Sequence, residues 1–116
     1  MLPASSRLSH KKAFAIVFKE GQYAAHGALS IKWRSTHPSQ TRVGFIANKK
    51  NFTKARARNR AKRLLREATR PLLFQLRPGF DIIILYRYKP EQLDLDTVAG
   101  MLRMLLEKNN LLQKIS

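Results

Sequence analysis

Read only for the spacing of apolar and polar positions, the chain separates into helical and extended stretches divided by turn residues. Between His10 and about Lys19, Phe14, Val17 and Phe18 recur at helical spacing, so both phenylalanine rings leave one side of a short helix. Ser9 is placed to cap its start and Gly21 to close it. From Ala28 to Arg34 the period drops to two: Leu29, Ile31 and Trp33 alternate with Ser30, Lys32 and Arg34, which predicts a strand with an apolar and a basic face. Ser35 to Gln40, with His37 and Pro38, reads as a polar turn to an antiparallel partner over Arg42 to Asn48. There Val43, Phe45 and Ala47 share one face and Gly44, Ile46 and Asn48 the other. Gly44 leaves a gap that a helix or a nucleotide could approach closely.

The second half repeats the alternation of helix and strand. Ala57, Ala61, Leu64, Leu65 and Ala68 line one side of a helix that Asn51 or Thr53 can cap and Pro71 ends after Arg70. Arg77-Pro78-Gly79 is a turn signal ahead of residues 80–87, whose run Ile82 to Ile84 predicts a strand buried on both faces and central in its sheet. Lys89-Pro90 ends it. A last helix from Leu93 to Lys108 turns Val98, Met101, Leu102, Leu105 and Leu106 inward, with Asp94 or Asp96 as its cap and Asn109 and Asn110 at its end. Strand, helix, strand in this order suggests a parallel βαβ unit. The whole is a single α+β domain over residues 1–116, a two-layer sandwich of order αβββαβα if Gln22 to Ala25 pairs as a short strand, and αββαβα if it does not. Residues 1–8 read as a flexible arm and 109–116 as a C-terminal tail.

Charge changes this picture most. With 23 Lys and Arg against 7 Asp and Glu in 116 residues, the net charge of +16 points to a polyanionic partner, nucleic acid ahead of an anionic membrane. A chain without cysteine holds no disulfide, cysteine zinc site or thiol nucleophile, and fits a reducing compartment. No apolar run reaches the roughly 18 residues of a membrane span and no signal-peptide core opens the chain, so a soluble cytoplasmic protein is expected. Catalytic groups are sparse: His10, His26 and His37 are scattered, and Asp94 with Asp96 is better explained as a helix start than as a metal pair. No metal-ligand spacing, phosphate-binding glycine loop or nucleophile elbow occurs, so a self-sufficient active site is not expected.

The basic residues concentrate between Lys49 and Arg70, where ten Lys and Arg stand against Glu67 alone. Surface helices ordinarily interleave opposite charges, because like charges at i, i+4 cost roughly 0.2–0.5 kcal/mol a pair. Here Arg56 with Arg60, Arg58 with Lys62, Lys62 with Arg66 and Arg66 with Arg70 all repel. Phosphates would relieve that repulsion, and arginine suits them through bidentate contact.

The run Arg58-Asn59-Arg60-Ala61-Lys62-Arg63-Leu64-Leu65-Arg66-Glu67, preceded by Arg42-Val43-Gly44 and Lys49-Lys50, closely resembles the signature of the bacterial ribonuclease P protein subunit. Phe14-Ala15-Ile16-Val17-Phe18 and Asp81-Ile82-Ile83-Ile84 resemble that family in the same order. The resemblance implies a non-catalytic subunit of a ribonucleoprotein that removes the 5′ leader from precursor tRNA. Catalysis would belong to the ribonuclease P RNA and its bound Mg2+, with the metal held mainly by that RNA and no cofactor on the protein. By the same resemblance Arg56, Arg58, Asn59, Arg60, Lys62, Arg63 and Arg66 would meet the RNA subunit. Phe14, Phe18, Lys32, Asn48 and Lys49 would meet the single-stranded leader, although periodicity alone puts the two phenylalanines in the core. The family also implies a ribosomal-protein-like fold with a left-handed crossover through the basic helix, and a monomer that assembles 1:1 with the RNA. Two other readings stand beside it: a structural RNA-binding protein such as a ribosomal component, and a basic amphipathic membrane binder.

Overall fold

Among the residues that the computed structural model describes, 6–8, 11–36 and 40–113, the elements run α1 (Lys11–Glu20), β1 (Gln22–His26), β2 (Leu29–Ser35), β3 (Arg42–Ile46), α2 (Ala55–Thr69), β4 (Phe80–Tyr86) and α3 (Leu95–Lys108). The longer of the two predicted orders is therefore the one formed. Ser9, His10, His37, Pro38, Ser39 and the ends 1–5 and 114–116 lie outside the described residues, as do the expectations placed on them.

The four strands stand in the order β1-β2-β4-β3. The central position of β4 follows from its sequence. Residues Asp81 to Ile84 are buried whichever face they serve, and a strand apolar on both sides gains most from neighbours on both edges. It pairs antiparallel with β2 (Trp33 opposite Ile82) and parallel with β3 (Val43 opposite Ile82). This corrects one expectation: β2 and β3 do not form an antiparallel hairpin, because β4 inserts between them. The parallel β3-α2-β4 unit is present, and β1 closes the other side on β2.

Side-chain alternation then builds two unequal cores. Leu29, Ile31, Trp33, Val43, Ile82 and Ile84 point to the face that α2 and α3 cover, where they meet Ala61, Leu65, Ala68, Leu102 and Leu106. On the opposite face a smaller cluster joins Val17 of α1 and Leu8 to Ile83, with Phe14, Ile46 and Leu85 partly buried around it.

Local signals settle most ends. Asp94 caps α3 by accepting from the Thr97 N–H at 2.8 Å, and this bond holds its carboxyl below the usual carboxylate range. Gly79, with φ of 88°, makes the turn into β4. Pro71 ends the α geometry of α2, but the chain continues as a 3-10 helix over Arg70–Gln75 with Pro71 in its first turn, where a missing N–H costs nothing. Part of the expected tail is fastened: Leu111 and Leu112 are buried, and the Gln113 N–H donates to Gln75 O at 2.6 Å.

Candidate RNA interface

The α2 helix is docked by the predicted stripe, with Ala61, Leu64, Leu65 and Ala68 buried and Ala57 half-buried, and Thr69 is buried beside them. Tyr86 pins it from below, its hydroxyl donating to Ala61 O at 2.9 Å while Phe52 packs edge-on against its ring. Burial raises the Tyr86 phenol well above its ordinary pKa, with Arg60 opposing the shift. Fixing these side chains inward turns Arg56, Asn59, Arg60, Arg63, Arg66 and Arg70 outward, and all of them are exposed. Lys62 is half-buried at the edge of this surface.

Two of the predicted contacts already have intramolecular work. Arg58 is half-buried, and its Nη1 donates at 3.0 Å to both Phe52 O and Thr53 O, bracing the loop that enters α2. Arg60 Nη2 donates at 3.0 Å to Leu93 O, in the loop before α3, and keeps its remaining N–H groups in solvent. Neither Asn51 nor Thr53 caps the helix. The N-cap is Lys54, with no side-chain hydrogen bond, because Asn51 is held elsewhere: its N–H donates to Asn48 Oδ1 at 3.0 Å and its amide to Tyr86 O at 3.4 Å. The first-turn N–H groups of α2 thus lack a side-chain cap and add the positive end of the helix dipole to the arginine field.

Arg56, Asn59, Lys62, Arg63 and Arg66 make no side-chain hydrogen bond or ion pair to another described residue. The ion pairs among described residues are Arg42 with Asp81 and Arg103 with Glu107, both away from α2. A concentrated positive face without internal neutralisation is a surface built for an external anion.

The second surface lies where α1 crosses the sheet. Its residues do not form one platform. Phe14 is half-buried over β3, where an atom added at Gly44 would meet its ring, so the gap foreseen at Gly44 is filled by a helix side chain. Phe18, one turn on, is 38% exposed over β2, with Lys32 Nζ 5.1 Å from its ring centroid and donating to Phe18 O at 3.2 Å. Val17, between the two rings in space, is the core residue of α1 at 1% exposure. Periodicity alone therefore holds in part: Val17 is buried and Phe14 packs half-buried against the smaller core, while Phe18 is left exposed. Asn48 and Lys49 are exposed in the turn after β3, and the Asn48 side chain shapes that turn through its bond to Asn51.

Where the two surfaces approach each other, a cavity of about 690 Å³ opens along the outer edge of β3, between Phe14 and the C-terminal half of α2. Arg63 and Arg66 line it, and so do three residues not foreseen as contacts: Arg7, Glu67 and Arg70. Helical spacing from Arg63 through Glu67 to Arg70 could have found the last two. Nothing local could have found Arg7, which arrives through an isolated bridge to Val43.

Among the described residues no group of three or more His, Cys, Asp or Glu side chains could hold a metal ion, and no helix is long and apolar enough to cross a membrane. An α+β domain that presents an unneutralised arginine helix beside half-exposed aromatic rings is, by class, an RNA-binding protein. Comparison with known proteins narrows the class. The model of the family Ribonuclease P matches residues 2–110, and the chain belongs to this family. It is 35% identical over 109 residues to the ribonuclease P protein component of Symbiobacterium thermophilum, covering 93% of this chain and 94% of that protein. The corresponding protein of Picosynechococcus is 32% identical over 105 residues, covering 90% of each. Among solved structures, the ribonuclease P protein of Thermotoga maritima superposes with a TM-score of 0.79 at 31% identity, covering 88% of this chain and 96% of that one. That of Staphylococcus aureus, at 20% identity and a TM-score of 0.81, covers 93% of this chain and 98% of that one and shares the fold.

Proposed function

We propose that this chain is the protein subunit of ribonuclease P, assisting a catalytic RNA in removing the 5′ leader of precursor tRNA. The observation that carries the reading is the outward face of α2, where Arg56, Arg63 and Arg66 are exposed and without a side-chain partner among the described residues. A subunit whose RNA supplies the chemistry needs affinity and position from its protein, and phosphate neutralisation supplies both. Arg56, Asn59, Arg60, Lys62, Arg63 and Arg66 meet the RNA subunit. Arg58 acts mainly by bracing the entry to α2.

The leader is held by Phe14, Phe18, Lys32, Asn48 and Lys49. Half-exposed rings pack against unpaired bases of any sequence, and the lysines follow the phosphates, which suits a subunit that serves many precursors. In this reading Mg2+ is held mainly by the RNA, which carries the chemistry. The protein is a monomer before assembly, pairs 1:1 with the RNA and works in the cytoplasm.

Mixing the protein with bacterial ribonuclease P RNA and precursor tRNA at low magnesium tests this directly. Cleavage at the mature 5′ end should be stimulated, with none from protein alone. Cleavage without the RNA, or absence of stimulation, would refute it.

A further inference from the structure

The cavity at the edge of β3 has a composition that a plain phosphate groove would not need. One wall is apolar, made by Phe14 and the bare backbone at Gly44, and the rim is arginine. Its volume of about 690 Å³ falls within the roughly 300–1,000 Å³ of pockets that engulf small ligands. Glu67, the one acid of the basic stretch, also lines it. Arg63 lies one turn before Glu67 and Arg70 one turn after, yet Glu67 pairs with neither, and the described ion pairs lie elsewhere. A carboxylate kept among arginines and without a partner among the described residues has both oxygens as acceptors.

The edge of β3 adds a second polar feature. Val43 O accepts from the Leu8 N–H at 3.0 Å, so Val43 turns its backbone groups away from β4. Strand alternation gives Phe45, two residues on, the same outward direction, and Phe45 also lines the cavity. The pocket therefore joins an aromatic wall, the outward backbone of Phe45, a carboxylate unpaired among the described residues and a cationic rim.

We propose that this cavity receives one unpaired guanosine of the ribonuclease P RNA, with Glu67 reading its Watson–Crick edge. Guanine alone among the four bases carries adjacent donors there, N1–H and the 2-amino group, which match the two oxygens of a carboxylate. Adenine and cytosine turn a lone pair toward Glu67, and uracil offers a single donor flanked by acceptors. The base packs against the bare backbone at Gly44, and Arg66 and Arg70 take the flanking phosphates. The assignment rests on the ribonuclease P reading for its source of RNA and extends it from charge to base identity. The RNA subunit is the source because three of the four arginines that line the cavity belong to α2 or its immediate C-cap.

Kethoxal, which modifies guanine at N1 and the 2-amino group, tests this on the holoenzyme assembled without precursor tRNA. One unpaired guanine of the RNA subunit should lose reactivity when wild-type protein binds and regain it with Glu67→Gln. In parallel, labelled single-stranded hexanucleotides with one variable position are titrated against the free protein. Guanine should be preferred over adenine and over inosine, which lacks the 2-amino group, by about tenfold, in keeping with one bidentate base contact. Glutamine presents one acceptor and one donor, the complement of adenine, so Glu67→Gln should move the preference from guanine to adenine. Simple removal of a negative charge would strengthen binding to every oligonucleotide alike. Equal binding of all bases by the wild type, unchanged guanine preference in Glu67→Gln, or no Glu67-dependent protection in the RNA subunit would each overturn the assignment. Stimulated cleavage at low magnesium would persist in those cases, so the loss of this inference is distinguishable from the loss of the ribonuclease P reading.

Discussion

Gly44→Ala is the smallest change that should separate the surface at α1 from the surface at α2. A Cβ at this position would lie 2.4 Å from Phe14 Cζ and 3.0 Å from Leu8 O. Non-bonded carbons rest at about 3.5–4.0 Å, so the ring must withdraw by about 1 Å or swing toward solvent. Overpacking of this kind costs about 1–3 kcal/mol. The lower end applies here, because Phe14 is half-buried and has somewhere to go, whereas the Leu8 carbonyl is fixed by its place beside Val43. The displaced ring should weaken discrimination of precursor from mature tRNA, while the contacts that the outward arginines of α2 make with the RNA subunit are untouched. Urea unfolding and paired binding titrations measure the two effects. In the double variant Gly44→Ala/Phe14→Ala the clash with the ring is absent, so adding Gly44→Ala to Phe14→Ala should cost clearly less than adding it to the wild type. Strict additivity, within about 0.5 kcal/mol, would show that the ring and Gly44 are not coupled and would refute the reasoning.

Further outcomes follow from the same geometry. Arg60→Ala should weaken assembly with the RNA and lower the salt slope of log K by about one unit if its free N–H groups meet a phosphate, whereas Phe18→Ala should leave that slope unchanged and reduce precursor preference by about 1–3 kcal/mol. At 38% exposure Phe18 should also lose less stability on truncation than the roughly 3–5 kcal/mol of a buried phenylalanine, which a thermal melt checks. Tyr86→Phe should cost about 1 kcal/mol through loss of the bond to Ala61 O. Because burial raises the folded-state pKa of Tyr86 above its unfolded value, its contribution is complete below about pH 10 and falls as pH rises beyond it; alkaline unfolding should therefore begin at lower pH in the wild type than in Tyr86→Phe, relative to each protein's neutral stability.

The basic helix is legible in the sequence because a helix writes its orientation into its own spacing. Ala61, Leu64, Leu65 and Ala68 are buried as the period of 3.6 demands, and the arginines on the remaining arc have nowhere to go but outward. The central place of β4 is legible for a similar reason: Ile82, Ile83 and Ile84 leave no polar side for solvent. The cap of α3 is equally local, with Asp94 and Thr97 three residues apart.

What the spacing of residues does not decide is which surfaces meet. A strand's alternation names its apolar face but not its neighbour, so the β2-β3 hairpin is a fair local expectation that fails once β4 competes for both edges. Capping is decided the same way: Asn51 carries the right side chain for a cap, but Asn48 and Tyr86 hold it before α2 begins. The two phenylalanines share a helix face, yet only the crossing of α1 over three strands sets Val17 on Ile83 and leaves Phe14 at β3 and Phe18 at β2. Glu67 and Arg7 meet at one cavity for the same reason. Local periodicity fixes a residue's direction relative to its own backbone, at a range of a few residues. Pockets and pairings depend on packing between segments tens of residues apart, where the free energy of burying one surface is weighed against every other surface in the chain.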